Sequence, residues 1–127
     1  MSYRLLRSWT AVEALFSENA EKADSYETIV RRASFLAKNP EIRRWKLRHA
    51  ALVRNRFVHD NREGIALENI AGDLERYMCA IVNWLVFKEP ALTHERFLNF
   101  VDQPTSIPML RQRKEDAEKA IALFEDG

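Results

Sequence analysis

Apolar residues recur along this chain at intervals of three and four, the spacing of one face of an α-helix, and no stretch alternates as a strand would. Leu5, Trp9, Val12 and Phe16 make the first such stripe. Thr10 to Glu13 has capping-box spacing, so regular helix is expected either from near Ser2 or from Thr10. Residues 17–23 are polar and read as a turn. Asp24-Ser25-Tyr26-Glu27 then offers a second capping box, and Ile29, Val30, Ala33, Leu36 and Ala37 carry a helix to Lys38. Asn39-Pro40 predicts a break and a fresh start, because asparagine caps well and proline suits the first helical position. The new helix should run from Pro40 to about Val58. On it Ile42, Trp45, Leu52 and Phe57 are expected to face the core or a partner, with His49 packed among them. The segment from about Ile65 to Lys88 is the most periodic. Ile70, Leu74, Tyr77, Ile81 and Trp84 form one stripe and Ala71, Met78, Val82 and Leu85 a second, an arc wide enough for the centre of a bundle or a second subunit. Pro90 ends that helix, and a short one over Thr93–Phe100 returns Phe97, Leu98 and Phe100 to the core, with His94 at the surface. Asp102-Gln103-Pro104 closes the unit. The expected organisation is therefore all-α, a helical bundle over residues 1–103, followed by a segment over 104–127. In that segment Thr105–Leu110 reads as extended and Lys114–Phe124 as an amphipathic helix that closes on the bundle.

Composition narrows the class. A chain of 127 residues with 46% hydrophobic content suits one domain and one core. The net charge of +1 says little, but its distribution says more. Residues 31–62 hold ten Lys and Arg against only Glu41 and Asp60, a local charge of +8. Such a basic stretch is the electrostatic footprint of a phosphate-binding face. Arg43, Arg44, Arg48, Arg56 and Arg62 are accordingly candidate RNA contacts. Cys79 is the single cysteine, so no internal disulfide and no cysteine metal cluster can form; it reads as a small core residue of an intracellular protein. The opening residues lack the apolar run of a signal peptide. The longest apolar run, Tyr77–Phe87, is interrupted by Asn83 and is too short to cross a bilayer. A cytoplasmic protein without a membrane partner is expected. No glycine-rich phosphate loop, nucleophile elbow or His-Glu-x-x-His is present, and no metal or cofactor is expected.

One stretch carries chemistry: Leu52-Val53-Arg54-Asn55-Arg56-Phe57-Val58-His59-Asp60. Arg44 and His49 share the same five-residue separation, but five residues of helix rotate by about 500°, which leaves two mid-helix side chains about 140° apart. Arg54 and His59 escape this if the helix ends between or just after them, and Asp60 to Gly64 has the glycine and polar residues of such an ending. The helical neighbours of Arg54, among them Leu47, Ala50, Ala51, Phe57 and Val58, are apolar, so its charge needs a partner.

An arginine followed by a polar residue, with a histidine four to six residues further on at the end of a basic helix, resembles the signature of the HEPN nuclease superfamily. The resemblance implies a HEPN-like bundle of four to five helices that pairs through its motif helices as a two-fold homodimer. It implies a metal-independent endoribonuclease of the toxin or defence kind. Arg54 would contact phosphate and stabilise transition-state charge, His59 would move protons and Asn55 would orient the site. The products would be a 2′,3′-cyclic phosphate and a 5′-hydroxyl. The chemistry suits the residues: RNA brings its own 2′-hydroxyl nucleophile, and what remains is a group titrating near neutrality and a fixed planar cation. A non-catalytic HEPN-like dimer that binds RNA or a nucleotide is the alternative. A partner antitoxin or regulatory domain fits either. Family toxins silenced by nucleotidyltransferases carry a tyrosine two places after the histidine; Asn61 stands there, which argues against that route. The 104–127 segment also weakly resembles the opening of a CBS module.

Overall fold

The computed structural model describes residues 3–19, 24–60 and 65–127, except the side chains of 56–60, 65 and 66. Among them are six helices and no strand: α1 (Tyr3–Phe16), α2 (Tyr26–Ser34), α3 (Pro40–Asp60), α4 (Ile65–Lys88), α5 (His94–Val101) and α6 (Ile107–Asp126). The all-α expectation holds, and five helices precede residue 104.

Helix α1 lies at the centre of the packing, running along α4 and touching α2 and α3, while α2 packs on α3 and α5. Its predicted stripe is the core: Leu5, Trp9, Val12 and Phe16 are all buried. They meet Ile29, Val30 and Ala33 of α2, Leu47, Ala50 and Ala51 of α3, and Leu74 and Ile81 of α4 in one cluster. Each fully buried large side chain contributes about 1.5–3 kcal/mol. Phe97 brings α5 onto the end of α1, its ring centroid 5.5 Å from that of Phe16.

Local chemistry sets most boundaries. Ser25 caps α2 by accepting from the Thr28 N–H, one residue later than a box opened by Asp24. Asn39 caps α3 as expected, its Oδ1 accepting from the Ile42 N–H at 3.2 Å. Thr93 caps α5 and Ser106 caps α6 in the same way. Four expectations need correction. Thr10 sits inside α1, its hydroxyl donating to the Leu6 carbonyl at 2.9 Å, because tertiary packing of the Leu5 stripe carries the helix back to Tyr3. Helix α2 stops at Ser34 and residues 35–39 form turns, since the approach to Pro40 disfavours helix. Cys79 is exposed because Leu74, Met78 and Ile81 take the inward face of α4. Finally, the stretch read as extended becomes helical at Ile107, and none of the α6 side chains is buried.

A buried cation fastens the bundle. Arg32, with a side chain only 7% exposed, contacts Asp24 at 2.7 Å and Asp102 at 2.7 Å. It also donates to the Phe16 carbonyl at 2.8 Å. One guanidinium thus ties the end of α1, the entry to α2 and the end of α5. The N–H of Glu18 and then Arg32 hold Asp24 below the ordinary carboxylate range. Burial pushes Asp102 up, but hydrogen bonds and charge from Arg32 and Arg31 outweigh it, and the net shift is downward.

Arg32→Met is expected to lower unfolding free energy in urea by about 2–3 kcal/mol. That is less than a fully buried pair because both carboxylates keep some solvent. Because both aspartates are depressed in the fold, the unfolded chain binds their protons more readily. Their contribution is complete above the ordinary aspartate pKa of about 4 and is lost as pH falls below it. Acid titration followed by circular dichroism should show this loss in the parent and a smaller one in Arg32→Met.

Candidate functional site

Helix α3 has two working faces. Leu47, Ala50 and Ala51 are buried against the bundle. On another face Ile42, Trp45 and Leu52 are 54%, 66% and 50% exposed, with His49 exposed between them. The Trp45 and His49 rings lie 5.7 Å apart at 33°. Positions 42, 45, 49 and 52 follow the three-and-four spacing of a helix-pairing seam, and the same register continues through positions 56 and 59. Ile42, Trp45 and Leu52 are therefore not core residues, and the side chain of Phe57 lies outside the described residues. The histidine expected to be packed inside lies on the surface.

Arg54 belongs to the other face. It stands seven residues after buried Leu47, is half-buried, and its Nη2 lies 3.5 Å from Oε1 of Glu13 on α1. The partner demanded by its apolar neighbours is therefore Glu13, which the sequence offered only as part of a capping box. Among the described residues this is one contact, at a distance that engages few of the five N–H donors of a guanidinium. Asn55 is exposed beside the stripe. The backbone of α3 is helical through His59 to Asp60, but the side chains of Arg56 and His59 lie outside the described residues, as does Arg62. The rotation that separates Arg44 from His49, about 140°, applies to positions 54 and 59 of this helical stretch as well.

The remaining basic residues do not gather on one face. Arg43 turns to α4, where it pairs with Asp73 at 2.8 Å and lies 4.0 Å over the Tyr77 ring. Lys46 reaches the same aspartate at 4.0 Å. Arg44 turns to the end of α2, its Nε 3.3 Å from the Ser34 hydroxyl. Arg48 pairs with Glu27 at 2.9 Å, and that hydrogen bond, with the carboxylate charge, raises its pKa. Arg31 contacts Asp102 at 3.1 Å. Every one of these acidic partners lies outside residues 31–62, so the fold neutralises much of the local excess seen in the sequence. Between α3 and α4 this leaves a cavity of about 270 Å³ beside the stripe, lined by Trp45, Lys46, His49, Asn69 and Asp73. Among the described residues, no three His, Cys, Asp or Glu side chains converge on a metal-binding position.

Tyr77 holds this region in place. Its hydroxyl donates to the Ala33 carbonyl, linking α4 to α2 beneath Arg43. Burial pushes its pKa up to about 12, against a smaller lowering by the Arg43 charge. Tyr77→Phe should cost about 1 kcal/mol in urea unfolding, the net value of one hydrogen bond. The folded phenol keeps its proton longer than the unfolded one, so its contribution is present below about pH 10 and disappears as pH rises toward 12. The parent should therefore show an alkaline loss of stability that Tyr77→Phe lacks.

No helix of the described residues is long and apolar enough to cross a membrane. No protein-family model, curated protein or solved structure matches this chain.

Proposed function

We propose that this chain is a HEPN-type, metal-independent endoribonuclease of the toxin or defence kind that works as a two-fold homodimer on intracellular RNA. The observation that carries the reading is the exposed stripe of α3, a seam whose register runs on to His59 in the same helix that holds Arg54 and Asn55. Two copies laid stripe to stripe about an axis along α3 bring both His59 positions to the shared seam, with Asn55 at its side and Arg54 on the far face of each helix, against Glu13.

In this composite cleft, one histidine takes the proton of the RNA 2′-hydroxyl as its oxygen bonds to the adjacent phosphorus. The second gives a proton to the 5′-oxygen as the P–O5′ bond breaks. Arg54's part requires it to leave Glu13 and reach around α3 to the phosphate at the seam, where its planar donor fork stabilises the phosphorane charge. The products are a 2′,3′-cyclic phosphate and a 5′-hydroxyl. Two histidines supply acid and base together, where one would supply about 10²- to 10⁴-fold alone.

A second reading is favoured by one feature. Positions 54 and 59 fall on different faces of a continuous α3, and a HEPN-like dimer that only binds RNA or a nucleotide, as an interaction or regulatory module, needs no convergence of the two.

Cleavage of RNA in EDTA, with the product ends identified, separates these readings. The nuclease should yield cyclic phosphate and 5′-hydroxyl ends, and lose about 10²- to 10⁴-fold in His59→Ala and about 10²- to 10³-fold in Arg54→Ala. Salt-sensitive RNA binding without cleavage would select the binding module. Trp45→Glu should weaken self-association in sedimentation, by removing the α3 seam, and abolish cleavage. Its effect on thermal stability should stay within about 0.5 kcal/mol, as for other exposed positions.

A further inference from the structure

Helix α6 is the part of the molecule that the proposed nuclease does not use. Twenty residues long, it carries no buried side chain. Helices in proteins draw most of their stability from covering an amphipathic face, so one of this length whose only half-buried residue is Leu110 calls for a cover. Ile107, Leu110, Lys114, Ala117, Ile121 and Phe124 recur at the three-and-four spacing of a coiled-coil seam over almost three heptads. Phe124, at its end, is 83% exposed.

The charges of α6 identify the cover. Residues 107–114 hold Arg111, Arg113 and Lys114 and no acid, whereas residues 115–126 hold five acids against Lys119. The first turn has no acidic residue and the last turn no basic one. This order opposes the helix macrodipole, which favours acids at the start and bases at the end. It is the wrong arrangement for an isolated helix and the right one for a second copy running the opposite way. Positive half then lies on negative half at both ends, and the two macrodipoles also oppose.

The seam fits the same direction. With Lys114 of one copy level with Ala117 of the other, Leu110 meets Ile121 and Ile107 meets Phe124, each layer occurring twice by symmetry. The small alanine leaves room for the lysine stem to lie across the seam and reach water. Arg111 falls beside Glu118 of the second copy, the flanking position where charge pairs set orientation. A parallel pair would set Lys114 against Lys114 and stack like-charged halves. We infer that α6 is a second self-association surface, on which two copies of this chain pair through antiparallel α6 helices in the register Lys114 opposite Ala117. This surface is independent of the α3 seam.

The test uses the full chain in a Trp45→Glu, Cys79→Ser background, which removes the α3 seam and the exposed native thiol. Protein carrying Lys114→Cys is mixed with protein carrying Ala117→Cys and mildly oxidised. The mixture should yield a disulfide-linked dimer at least tenfold above either protein alone. In sedimentation, Arg111→Glu should weaken the dimer about tenfold or more, and adding Glu118→Arg should restore it. Cross-linking within either single variant would show parallel pairing and overturn the inference. So would a monomer that neither cross-links nor responds to the charge reversals, whether the face proves uncovered or is taken by another protein. Because the α3 seam is absent throughout, failure here leaves the nuclease reading standing, and the reverse also holds.

Discussion

A guanidinium placed where water scarcely reaches must find its counter-charges within the protein, and Arg32 finds them on both sides. Asp24 and Asp102 are far apart in sequence, yet both close on it at 2.7 Å, with the Phe16 carbonyl as a third acceptor. This requirement fixes three chain segments at once: the end of α1, the start of α2 and the exit from α5. Hydrophobic stripes alone would let these ends slide, because burial of apolar surface has no direction. The ionic cluster supplies direction. It also sets where Gln103 and Pro104 leave the bundle, and so where α6 begins.

The same logic of charges seeking partners reshapes α3. In sequence, residues 31–62 are a dense basic block. In the fold, Arg43 and Lys46 are drawn to Asp73, Arg48 to Glu27 and Arg54 to Glu13. These contacts spread the cations around the helix and hold it to α1, α2 and α4. Exposed pairs such as Arg48–Glu27 are worth little individually, but they lower the field that any phosphate would feel. An RNA-binding surface here would therefore depend less on bulk positive charge than on a few donors able to exchange a carboxylate for a phosphate, the part proposed for Arg54.

Two sets of exposed apolar residues lie in stripes. The α3 stripe and the α6 stripe both follow heptad spacing, and both lie on helices whose exposed side chains would otherwise favour covering. Were both to pair with themselves as proposed, they could share a single two-fold axis and close a dimer, or lie on different axes and build a larger assembly.

The sequence by itself determined the helices, since the three-and-four spacing of Leu5, Trp9, Val12 and Phe16 is local information and burial follows it directly. It also marked Asn39-Pro40 as the start of α3, because capping is decided within a few residues. The end of α4 at Lys88, just ahead of Pro90, was equally legible. It could not determine which of two apolar faces on α3 would be inside, because periodicity records that a face is apolar and not what lies opposite. Trp45 and Leu47 are both apolar, but α1 and α4 occupy only the side of Leu47. Nor could it determine the fate of the basic block, because Asp73, Glu27 and Glu13 are distant along the chain and electrostatic pairing acts through space. Tertiary structure alone decided that Arg54 meets Glu13 on the bundle face, and that Ile107, Ile121 and Phe124 of the α6 stripe stand exposed.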